Sequence, residues 1–230
     1  MKNKNLKVIS IVLGIMAVLY VILEACYCYN NIQTARTMDF NNYAISEPAI
    51  ITIVHVFGFA WCLLLIAWFI IASKEKNSKA FGVMAVIALS IYLLVKVGNL
   101  INQQHLDLND TKAITIYYSI VGALNGIGNL LLAIAFIIMG RHLPEKARKW
   151  SVAIGICILV ILVLRILHPM INSYLNRQST PMEHVRTTYL MNASTNILTI
   201  VKFVFMAVFF FLCGKRIQQN STEEGLDTIQ

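Results

Sequence analysis

Along the 230 residues, apolar positions gather into six long runs separated by short polar stretches. None of the runs alternates polar with apolar positions, so they do not read as strands of a membrane barrel. Each run reaches or approaches the ~20 residues that a helix needs to cross the hydrocarbon core. The pattern predicts helices over about 6–29, 48–73, 80–102, 113–139, 144–168 and 181–214, with a polar tail over 215–230. The expected fold class is all-α: a polytopic membrane bundle of six transmembrane helices forming one domain over 1–214.

Local signals punctuate these runs. Ser46 is placed to cap the second helix, with Pro48 in its first turn, where a missing N–H costs nothing. Pro144 opens the fifth helix, and Pro169 is expected to end it after His168. Thr180-Pro181-Met182-Glu183 reads as a capping box, so the sixth helix starts before the membrane boundary. At 1.5 Å per residue it extends roughly 50 Å and stands proud of the bilayer. The start of the chain, basic to Lys7 and then apolar to Leu23, resembles a signal peptide. No small-x-small site follows, and five more runs lie downstream, so the segment reads as an uncleaved first helix. Asn30–Glu47 reads as a polar loop.

Composition agrees with the pattern: 58% of residues are hydrophobic and 13% charged, against roughly 45–50% and 25% in soluble domains. The net charge of +8 is concentrated in the short connections, where it sets topology and does not point to nucleic acid as a partner. One side receives Lys2, Lys4, Lys7, Lys74, Lys76, Lys79, Arg141, Lys146, Arg148, Lys149, Lys215 and Arg216, twelve in all. The other receives four: Arg36, Lys112, Arg177 and Arg186. The bias predicts both termini in the cytoplasm, in a cell (inner or plasma) membrane. Five cysteines suggest no disulfide framework, since Cys62 and Cys157 fall inside apolar runs and Cys26 and Cys28 point to opposite sides. Gly122 and Gly126 form a GxxxG in the fourth run, a candidate site for a partner helix.

The candidate chemistry lies within the spans. Lys96, Arg165 and Lys202 are their basic residues, and Glu24 their acid. Counted from the nearest basic residue on the terminal side, Lys202 lies 13 positions from Lys215, Arg165 16 from Lys149, and Lys96 17 from Lys79. Glu24 is 17 from Lys7, Asn125 16 from Arg141, and His55 19 from Lys74. These separations correspond to a common depth of roughly 20–28 Å. Snorkelling to the headgroups would make such residues incidental. Helical side chains lean toward their own N-terminus, however, so Glu24, Lys96 and Arg165 lean back into the membrane. His55 and Lys202 lean the other way, and the two sets converge. On the sixth helix Asn192, Thr195, Asn196, Thr199 and Lys202 form one polar stripe.

Three cations against one acid leave an excess of about two positive charges, which is costly to bury without a partner. The reading that follows is a protein that binds or transports a small anionic solute or a lipid headgroup in an outward-facing polar cavity. Its candidate ligand-binding residues are Lys202, Arg165, Glu24, Lys96, His55, Asn125, Asn196 and Thr199. Its partners are the lipid bilayer and that anion. One alternative is an accessory or sensory subunit whose polar core is structural. A weaker one is a b-type haem redox protein ligated by His55 and His168. Otherwise no metal and no cofactor is expected. No HExxH, GxSxG or paired-Asp motif is present, so enzymatic activity is left open and not favoured.

Overall fold

The computed structural model describes residues 4–37, 48–105, 111–175 and 181–226. Among them are six α-helices and no strand: α1 (Lys4–Thr37), α2 (Pro48–Glu75), α3 (Lys79–His105), α4 (Thr111–Arg141), α5 (Glu145–Leu175) and α6 (Pro181–Leu226). All six are long and apolar enough to cross a membrane. The architecture is that of a multi-pass membrane protein.

Each helix packs on its neighbours in the chain, and α1 closes the ring against α6. Two glycines allow that closure. A Cβ on Gly14 would fall 2.8 Å from the Phe211 ring, and one on Gly214 would fall 3.0 Å from Ile11. The first turns of α1 therefore lie beside the last third of α6, and the Lys4 end of α1 and the Leu226 end of α6 point to one end of the bundle. We call this the terminal end. The α2–α3 connection shows how tightly the helices turn there. Asn77 takes a left-handed conformation (φ 46°). Its N–H donates to the Lys74 carbonyl at 3.2 Å, and the Ser78 N–H donates to the Ser73 carbonyl at 3.1 Å. This is a Schellman cap, with asparagine in the place glycine usually takes.

A ring of six helices leaves a central lumen that side chains must fill. In the terminal half, Trp68, Phe69, Phe81, Phe136, Phe209 and Phe210 fill it and are fully buried. Their rings meet edge to face, with centroids 5.3 Å apart for Trp68–Phe210 and for Phe69–Phe136. Such pairs add about 0.5–1.5 kcal/mol each beyond area burial. The Trp68 indole donates to Ser10 Oγ at 2.8 Å, and Ser10 in turn donates to the Leu6 carbonyl at 2.7 Å. The floor of the lumen is thus packed and hydrogen-bonded.

Three helix ends differ from the sequence expectation. α1 continues two turns beyond Tyr29 to Thr37, because Asn31, Thr34 and Ala35 are buried instead of lying in a polar loop. α5 runs through Pro169 to Leu175. Proline there removes a single donor, the one that would reach the Arg165 carbonyl, and a membrane bundle tolerates that loss. α6 continues past Cys213 to Leu226, so much of the expected tail is helical; Lys, Arg, Gln and Glu are good helix formers.

Candidate functional site

Above the aromatic floor the lumen is not filled. A cavity of about 340 Å³ remains there, and all six helices contribute to its wall. That size falls within the range of small-ligand sites. The wall carries Lys96 and Asn99 from α3, Asn125 and Asn129 from α4, Arg165 from α5 and Lys202 from α6. Toward the floor it becomes aromatic, with Tyr20, Trp61, Tyr92 and Phe203.

Local packing aims each of these groups. Tyr20 stacks on Phe203 with centroids 4.5 Å apart and planes 3° from parallel, and Trp61 meets Tyr20 edge-on at 5.3 Å. The Lys202 ammonium lies 4.2 Å from the Phe203 ring centroid. This cation–π contact offsets part of its desolvation, worth about 2 kcal/mol where water is excluded. On the opposite side, Lys96 lies in a notch on α2 made by Gly58, where a Cβ would fall 2.5 Å from its Nζ. The Tyr117 hydroxyl donates to Asn99 Oδ1 at 2.6 Å and orients that amide. The Asn129 amide donates to the Asn125 carbonyl one turn earlier, at 2.8 Å.

Charge is unevenly matched. Glu24 does not line the cavity, but it lies on α1 within electrostatic reach of both Lys202 and Arg165. Among the described residues, no carboxylate lies within ion-pair distance of Lys96, Arg165 or Lys202. Three cations therefore face one space, with one acid nearby to offset them.

Of the residues singled out from the sequence, Lys96, Asn125, Arg165 and Lys202 meet at the cavity. Asn196 and Thr199 do not. The Asn196 amide is engaged between helices in the orientation its neighbours satisfy, with O and N exchanged: the nitrogen then donates to the Asn192 carbonyl at 3.1 Å, and the oxygen accepts from Asn31 Nδ2 at 3.2 Å and from the Cys28 N–H at 3.3 Å. Thr199 is buried and donates to the Thr195 carbonyl at 2.9 Å. Asn196 belongs to the α1–α6 seam, which the Cys28 thiol also joins by donating to the Ala193 carbonyl at 3.6 Å. The side chain of His55 lies outside the described residues, so the proposed pairing with His168 does as well. His168 is half-buried and does not line the cavity. No cluster of three or more His, Cys, Asp or Glu suited to a metal occurs among the described residues.

Sequence reasoning missed Tyr92, Trp61 and Phe203. Tyr92 lies one turn before Lys96 and continues the stripe of Lys96 and Asn99, which was the available signal. Trp61 and Phe203 each sit in an apolar run and carry no such signal. Comparison of the chain with protein-family models, with curated proteins and with solved structures finds no match.

Proposed function

We propose that the protein binds, and carries or presents, a small anionic group in this cavity, with Lys202, Arg165 and Lys96 as the charges that receive it. The observation that carries the reading is the meeting, at one space in the apolar part of the bundle, of three asparagines and three cations that have no ion-pair partner among the described residues. Desolvated cations without counter-ions are expensive, and an anion with several acceptor oxygens removes the expense. Asn125 and Asn129 add neutral donors to the charged ones. The packed aromatic floor closes the terminal half, so access is from the far end or from the side. The loop charges favour a cytoplasmic terminal end, which makes the cavity outward-facing in a cell membrane.

The α1–α6 seam and Thr199 support a second reading in part. Asn196 and Thr199 are packed and satisfied, as an accessory subunit with a structural polar core requires. The seam and the cavity are separate features, and the structural reading leaves the three cations unexplained.

The test is Lys202→Met in the purified, reconstituted protein, with binding of inorganic phosphate, sn-glycerol 1-phosphate and phosphatidylglycerol measured by native mass spectrometry and calorimetry. Binding of at least one of these to the wild type, reduced tenfold or more in the variant, is expected. A folded variant that binds all three as the wild type does overturns the assignment.

A further inference from the structure

A second void lies between α4 and α5. It measures about 450 Å³ and is lined by Gly122, Ala123, Asn125, Gly126, Asn129, Leu162, Arg165 and Ile166. It shares Asn125, Asn129 and Arg165 with the central cavity. Those three polar residues therefore border both spaces.

The glycines along this helix pair record how the gap opens. Near the terminal end, a Cβ on Gly140 would fall 3.0 Å from Val152. At Gly155 one would fall 2.6 Å from Ile137 and 2.8 Å from the Ala133 carbonyl, as close as two helices approach. Farther out, a Cβ on Gly126 would be 3.8 Å from Leu162, and one on Gly122 would meet nothing within 4 Å. At these glycines the packing of α4 against α5 loosens away from the terminal end. The GxxxG of α4 is thus not a seat for a helix of this chain. It floors an open groove.

The chemistry of the groove selects its occupant. Apart from Asn125, Asn129 and Arg165 its lining is apolar, it includes the exposed Ile166, and it lies within the membrane-crossing lengths of both helices. A hydrated anion gains little along such a wall. Yet at the inner end stands the exposed guanidinium of Arg165, at a depth where an unpaired charge facing lipid is unfavourable. An anionic headgroup joined to a hydrocarbon chain satisfies both conditions.

We infer that the cavity is loaded from the bilayer, through the α4–α5 gap, and that its ligand is an anionic phospholipid. The phosphate passes Arg165 to reach Lys202 and Lys96, while an acyl chain lies in the groove over Gly122 and Gly126. Arg165 faces both spaces and serves as the transfer point. This inference rests on the anion-binding reading above and names its ligand and route.

The test uses the full-length protein, stripped of lipid in detergent and returned to nanodiscs. The probes are phosphatidylglycerol, phosphatidylcholine and the chainless sn-glycerol 1-phosphate. Expected are retention of phosphatidylglycerol at least tenfold over phosphatidylcholine and a tenfold or greater loss of that retention in Gly126→Leu. A phosphatidylglycerol with a photoreactive acyl chain should label wild-type peptides containing Gly122–Gly126 and Leu162–Ile166, a readout that does not depend on the variant folding. Glycerol phosphate bound as tightly as the lipid, with no labelling at the groove, overturns side loading and leaves the anion site standing. Lys202→Met with no effect on any probe overturns the anion site itself.

Discussion

The ammonium of Lys96 occupies the space above Gly58: a Cβ at position 58 would fall 2.5 Å from Nζ and 2.9 Å from Cε. One helix has left out a side chain, and a charge from the next helix is seated there. The Tyr20 hydroxyl closes the same notch, 3.5 Å from the Cβ position. Lys96 is thereby held against α2 at the cavity wall.

Gly58→Ala should change the site without unfolding the protein. The displaced atoms are the far end of a flexible side chain, so the cost in thermal stability is expected to stay below about 1 kcal/mol. Phosphatidylglycerol or phosphate binding should still weaken, because the ammonium is pushed from its seat. The double variant Gly58→Ala/Lys96→Met should bind no more weakly than Lys96→Met alone. That non-additivity in a double-mutant cycle is the check.

Lys202→Met is expected to stabilise the empty protein. A charge held by one ring and the field of Glu24 is replaced by an apolar chain of similar volume, a change worth from about zero to several kcal/mol in favour of folding. Thermal unfolding in detergent, with added anion absent, should show an equal or raised midpoint. A lowered midpoint means that Lys202 is a structural keystone.

Cys62 lines the cavity and can report on its water. In a variant keeping Cys62 as its sole cysteine, a small negatively charged thiosulfonate should react faster than a positively charged one of similar size, since the cavity carries excess positive charge. Lys202→Met should narrow that difference. Equal rates for both reagents mean that the three cations set no field at Cys62.

Ser10 and Trp68 are fully buried and bonded to each other at 2.8 Å. Ser10→Ala leaves the indole N–H without its acceptor and should cost about 1–3 kcal/mol. Trp68→Phe in the Ser10→Ala background should cost less than in the wild type, because it removes the stranded donor. Chemical unfolding of the four proteins gives the coupling energy directly. Ligand binding should change little, because the pair lies in the floor and outside the cavity wall.

Six helices could be read from the chain alone because the membrane imposes its requirement locally. Each crossing must satisfy its own backbone hydrogen bonds over about 20 apolar residues, and that need is written in consecutive positions. Depth could be read for the same reason. A fixed rise per residue turns a count from Lys215, Lys149 or Lys79 into a height, and Lys202, Arg165 and Lys96 do meet at one cavity. Rotation about the helix axis and the spacing between helices depend on the neighbours. Thr199 and Lys202 lie three residues apart on one stripe, yet Thr199 is buried away from the cavity wall and Lys202 borders the cavity. Only the packing of the neighbouring helices draws that boundary. The glycines make the same point in reverse. Gly122 and Gly126 carry the recognisable motif and are left open, while Gly155, in no motif, takes the close contact. A motif states that a helix has a smooth face. Whether a helix, a cavity or a lipid fills that face was decided by how six helices close into a ring.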